Sequence, residues 1–198
     1  MDSAEVKKEL GMGYAELVEY LLKKYGAAKG DYFVSESCKT KNRNVPRTSE
    51  GLECHHIDED KAIMLSDSRW AVKNPFSYQK ADRLVYCNVL EHLILHVKIV
   101  EGPRNMEANP MEIPGLGGIM NYLCPQINDY YNGYEYKRPY EVKKFELISD
   151  NYDDYIEVLR HFLDIVTADP SYILYVTPQK LSRGYSGEII EKIYRDLF

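Results

Sequence analysis

Glu53-Cys54-His55-His56-Ile57, Arg83-Leu84-Val85-Tyr86-Cys87 and Glu91-His92-Leu93-Ile94-Leu95-His96 decide how the chain is read. The first two are short runs that suit strands, and a long polar connection joins them. From Asn88 the period becomes helical, with Val89, Leu93, Val97 and Val100 on or near one face, until Gly102-Pro103 ends it. Residues 51–101 are therefore expected to run strand, loop, strand, helix. Of the chain's five histidines, four fall in this stretch, as the vicinal pair His55-His56 and as His92 and His96. Two histidines four apart on a helix lie on one face about one turn from each other, so their imidazoles can converge on a single cation. Adjacent strand residues point to opposite sides, so His55 and His56 are not both expected to ligate the same ion.

That division of labour suits phosphodiester hydrolysis. A divalent cation held by three neutral imidazoles keeps positions open for a phosphate oxygen and the leaving 3′ oxygen. A free histidine with a pKa near neutrality takes the proton from an attacking water. If His55, His92 and His96 are the ligands, His56 is left as the base. The three segments resemble the HNH, or His-Me finger, nucleases, whose motif runs as an x-His-His-Ile strand, an Asn-Leu-Val-like second strand and a helix carrying Glu-His-x-x-x-His. The resemblance covers about a quarter of the chain and implies a ββα-metal fold there. It also implies His55, His92 and His96 as metal ligands, His56 as general base, and products with 5′-phosphate and 3′-hydroxyl ends. A three-histidine site prefers Zn²⁺, Ni²⁺ or Mn²⁺, and its geometry could admit Mg²⁺.

The resemblance departs at one place. The family's middle Asn lies nine residues before the first helical histidine, where this chain has Arg83. That Asn braces the loop carrying the base, so bracing is expected from Asn74 or Asp82. Glu91 and Arg83 are the residues expected just outside the ligands, Glu91 orienting a ligand imidazole.

Working outward, Tyr14, Leu17, Val18, Leu21, Leu22 and Tyr25 form a helical stripe stopped by Gly26. Residues 38–47 carry Lys39, Lys41, Arg43 and Arg47 with no acidic side chain, and read as a basic loop offering contacts to a nucleic-acid backbone. Gly115-x-Gly117-Gly118 follows no strand, so it is not a dinucleotide fingerprint. The tyrosine-rich stretch 121–140 reads as a hairpin or loop covering the core, although rings beside Lys137 and Arg138 could stack on bases. Tyr152, Tyr155, Ile156, Leu159, Phe162, Leu163 and Val166 mark a second strong helix. Ser186 is the expected N-cap of a last one bearing Ile189, Ile190, Ile193 and Leu197.

The chain is thus expected to be α+β and mainly helical: an N-terminal helix and basic loop over 1–50, a ββα-metal core over 51–101, and a tyrosine-rich, helical region over 102–198 packed on it. Its 198 residues, 44% of them hydrophobic, can bury an ordinary core. No run approaches a membrane span, and the opening residues lack a signal peptide's apolar centre, so a cytoplasmic protein is expected. The net charge of −6 argues at first against a nucleic-acid partner. Residues 145–169, however, hold seven acidic side chains against Arg160 alone, so one segment accounts for the whole imbalance. Nucleic acid, DNA in the first instance, remains the expected partner, with the acidic helix free to dock a protein. The alternative is a nucleic-acid or protein-binding module without turnover, in which Cys54 or Cys87 completes a structural zinc site.

Overall fold

The two short β-prone runs pair antiparallel as β1 (Glu53–His56) and β2 (Leu84–Cys87), with His55 opposite Val85 and His56 opposite Leu84. A computed structural model describes residues 3–103, 113–169, 172 and 188–197. After β2 the chain turns directly into α4 (Val89–Glu101). The Asn88 side chain accepts from the Leu90 and Glu91 backbone N–H groups, and the Glu91 carboxylate accepts from Asn88 N, a complete capping box. Eleven of the thirteen residues of α4 are buried, which makes it the central helix rather than an amphipathic surface one.

Around it pack α1 (Ser3–Leu10), α2 (Tyr14–Tyr25) and α8 (Tyr152–Ala168). One hydrophobic cluster runs from Val6 to Tyr172 and draws on Leu17, Leu93, Ile94, Ile127 and Phe162 alike. The N-terminal, central and C-terminal segments therefore share one core. Between the strands the polar connection forms short turns, a 3₁₀ turn at Ile57–Asp60 and α3 (Ser68–Ala71) among them. No described helix is long and apolar enough to cross a membrane.

Two expectations are corrected. The tyrosine-rich stretch is helical rather than a hairpin. α5 (Leu116–Gly118) runs through a π-helical turn at Ile119–Leu123 into α6 (Cys124–Tyr131), and α7 (Pro139–Glu146) follows. The break falls at Asn132-Gly133, where Gly133 takes φ 83°, and Pro139 opens α7 as its first residue. The tyrosines cover the core: the Tyr130 and Tyr136 rings stack on Phe145, and Tyr131 donates to the Ile148 carbonyl. The last helix is present as α9 (Glu188–Leu197), while its expected cap Ser186 lies outside the described residues.

Glu91 is the second correction. It orients no imidazole: besides capping α4, its carboxylate accepts from Lys24 Nζ at 2.6 Å and Tyr25 OH at 3.0 Å. Lys24 also reaches Glu5 at 2.6 Å, so one ammonium ties α1, α2 and α4 together. Glu9 is buried at the same junction with neither carboxylate oxygen hydrogen-bonded. Burial, and then the Glu91 charge, push its carboxyl up from 4.5 to about 8. Between those two values the unfolded chain ionises there and the folded chain does not, so stability falls as pH rises through that window. Glu9→Gln should accordingly raise the Tm more at pH 8 than at pH 4.5, the ends of the Glu9 window; equal gains at both would contradict the assignment.

Candidate metal centre

His55 comes from β1 and His92 and His96 from successive turns of α4. One ring nitrogen from each lies within 4.8 Å of the others, and the ring centroids are 4.9 to 5.2 Å apart. Each imidazole spends its other nitrogen on a different partner. His92 Nδ1 bonds the Glu53 carboxylate at 2.9 Å, and His96 Nδ1 bonds the Gly115 carbonyl at 3.1 Å. His55 Nε2 lies 2.9 Å from Tyr14 OH, which donates its own proton to the Ile57 carbonyl and so must accept from the ring. Carboxylate, carbonyl and phenol thereby fix three tautomers, the outer arrangement that metal-ligating histidines use.

What remains is a lone pair on His55 Nδ1, on His92 Nε2 and on His96 Nε2. His55 Nδ1 is buried with no hydrogen-bond partner, an orphan acceptor that a cation would satisfy. The donor set fits a divalent ion with affinity for imidazole. Burial holds the His55 imidazole well below its ordinary range against the opposing pull of Glu59, which favours the neutral form that a ligand requires. Burial works against ionising Glu53, yet its bond to His92 and the Lys144 ammonium bring its carboxyl to about 2. No cysteine belongs to a described metal-capable cluster, and Cys87 lies in the hydrophobic core.

His56 points to the opposite side of β1, as strand alternation requires. Its Nε2 lies 2.9 Å from Gln79 Oε1. The Gln79 amide donates from Nε2 to the Leu65 carbonyl, which fixes which end of the amide faces His56. The ring therefore carries its proton on Nε2 and presents a bare Nδ1, buried without a partner and 3.7 Å from Glu59 Oε1. Burial lowers this imidazole's pKa against the opposing pull of Glu59. The Tyr32 ring packs edge-on against it, with centroids 4.4 Å apart.

Asn74 does not brace the turn that follows His56, because its side chain bonds the Trp70 carbonyl, and Asp82 is exposed. Arg83 braces that turn instead. Its guanidinium grips Asp58 through two bonds of 2.7 Å, clamping the turn that follows His56.

A cleft of about 1150 Å³ opens beside the cluster, lined by His92, His96 and Glu59. Lys39 and Lys41 stand on one wall, and residues 113–126 form another. Arg43 is exposed but does not line it. Arg47 does not fit a phosphate contact: Glu50 and the Tyr25 carbonyl occupy its guanidinium, which also covers the Tyr86 ring. None of the seven acidic residues of the 145–169 segment lines the cleft. His161 stands apart, 3.4 Å from Glu101 at the far end of α4.

Sequence spacing did not point to Tyr14, Glu53, Glu59 or Gln79 as parts of the site. Nor did it reveal that the backbone of the glycine-rich segment presses on His96. Gly115 takes φ 80°, and a Cβ there would come within 2.7 Å of the His96 carbonyl oxygen, while one on Gly118 would collide with the His96 imidazole.

Comparison of the chain with protein-family models, curated proteins and solved structures finds no match. The site therefore stands on its own geometry. Gly118→Ala should displace the His96 ring and weaken Zn²⁺ binding by about tenfold or more, as loss of a ligand's outer support does. Calorimetric titration measures this, and an unchanged affinity would show that Gly118 does not hold His96 in place.

Proposed function

We propose that the chain is a metal-dependent endonuclease of the HNH, or His-Me finger, type, with the strand, strand and helix of residues 51–101 as its ββα-metal core. The observation that carries this reading is the separation of the two adjacent histidines. His55 joins His92 and His96 on one side of β1, and His56 is held on the other with its tautomer set by Gln79.

His56 Nδ1 takes the proton from the attacking water, since it is the imidazole nitrogen with no partner outside the cluster. Gln79 keeps that nitrogen free of the proton, and the Arg83–Asp58 clamp holds the turn behind it. A divalent ion on His55, His92 and His96 would neutralise charge on the phosphate and on the departing oxygen. Lys39 and Lys41 line the cleft and would meet backbone phosphates there, and no acidic residue of α8 lines it. The alternative, a non-catalytic module in which Cys54 or Cys87 completes a structural zinc, draws no support from the described metal-capable clusters, which contain no cysteine.

Purified protein incubated with plasmid, single-stranded DNA and RNA, each with Mg²⁺, Mn²⁺, Ni²⁺ or Zn²⁺ and with or without chelator, tests the activity. Cleavage should need metal. His56→Ala should cut roughly 10²–10⁴-fold more slowly while keeping the parent's metal content, whereas His92→Ala should lose the metal. Parent-like cleavage by His56→Ala would remove the assigned base, and absence of cleavage under every condition would favour the binding module.

A further inference from the structure

Among the described residues, Glu59 is the charged side chain that faces the bare nitrogens of His55, His96 and His56 together. Its Oε2 lies 3.2 Å from His96 Nε2 and 3.7 Å from His55 Nδ1, and its Oε1 lies 3.7 Å from His56 Nδ1. These are the nitrogens that the outer partners Gly115, Tyr14 and Gln79 leave bare. Two donors about 2.1 Å from one ion sit about 3.0 Å apart at a right angle and about 3.4 Å apart at a tetrahedral one. The 3.2 Å from Glu59 to His96 falls between those edges, and the 3.7 Å to His55 exceeds the tetrahedral one by a few tenths of an ångström. The carboxylate is mostly buried, 14% exposed, and lines the cleft, so it sits at the junction of ligands and solvent.

Its position is built. Glu59 occupies the 3₁₀ turn that follows His56, and that turn is held by two separate anchors. Tyr14 OH holds the Ile57 carbonyl at 2.8 Å, and Arg83 holds Asp58 bidentately. The same phenol thus sets the His55 tautomer and the turn that aims Glu59 at it.

From this geometry we infer that Glu59 is a fourth protein ligand, completing a three-imidazole, one-carboxylate site for a divalent cation of the Mn²⁺, Fe²⁺, Co²⁺ or Ni²⁺ class. Imidazole nitrogen suits the later of these metals and carboxylate oxygen the harder Mn²⁺. All of them accept five or six donors, so four protein ligands still leave room for oxygen atoms from the cleft. A tetrahedral Zn²⁺ would be saturated by the same four groups. The proposal rests on His55, His92 and His96 as metal ligands and does not depend on nuclease activity.

Titration of the full chain with Co²⁺, followed by visible absorption, tests it with Glu59→Gln and His92→Ala beside the parent. The parent should bind one Co²⁺ with the weak bands of five- or six-fold coordination. Glu59→Gln, which keeps size and hydrogen-bonding capacity, should bind about tenfold or more weakly with altered band positions. Unchanged affinity and spectrum in Glu59→Gln, with binding lost in His92→Ala, would overturn the fourth ligand while leaving the three histidines standing. Weaker binding with an unchanged spectrum would also overturn it, placing Glu59 behind His96 rather than on the ion. A parent that binds no Co²⁺ would overturn both this inference and the metal centre.

Discussion

Three imidazoles with their outward N–H groups satisfied and their inward lone pairs bare are the constraint on which the rest of the structure depends. Burying such lone pairs costs free energy unless something positive meets them. The surrounding chain maintains the arrangement from four directions: Glu53 on β1, Tyr14 on α2, the Gly115 carbonyl before α5, and the central helix itself. The buried capping box that starts α4, with Lys24 and Tyr25 on the capping carboxylate, fixes the helix register that places His92 and His96. Groups far apart in sequence thus converge on a few ångströms of space, and the shared core from Val6 to Tyr172 holds them there.

Both histidine pairs were legible because their geometry is local. Alternation along a strand and a four-residue spacing on a helix are dictated by backbone periods, and His55, His56, His92 and His96 fall where those periods put them. The outer partners had no such signal. Gln79 sits in an irregular polar connection, and only the folded chain brings it to His56. Glu59 follows His56 by three residues, yet it reaches the imidazoles because Arg83 and Tyr14 shape the turn between them. The reach of the long Arg83 side chain to Asp58, which braces the turn after His56, emerges only in the fold.

Elsewhere composition misled where tertiary contacts prevailed. Arg47 belongs to a basic loop, but an ionised neighbour three residues on and a carbonyl on α2 claim its guanidinium. Glu91 has the look of an outer ligand support beside His92, but on a helix consecutive residues face different ways and its carboxylate turns to the N-cap. The tyrosines of 121–140 carry rings that pack as well on a helix as in a hairpin, so aromatic content alone could not choose between them. Overall charge was equally uninformative until localised: the acidic segment is on α8 and its flanks, whereas the cleft wall carries Lys39 and Lys41.

Convergence of three histidine nitrogens on one metal ion is open to direct measurement. X-ray absorption at the metal edge of the Zn²⁺- or Ni²⁺-loaded protein reads the coordination shell. One ion per chain is predicted, with a shell of nitrogen and oxygen donors at about 2.0–2.2 Å and three-imidazole scattering. Absence of stoichiometric metal, or a shell containing sulfur at about 2.3 Å, would contradict it.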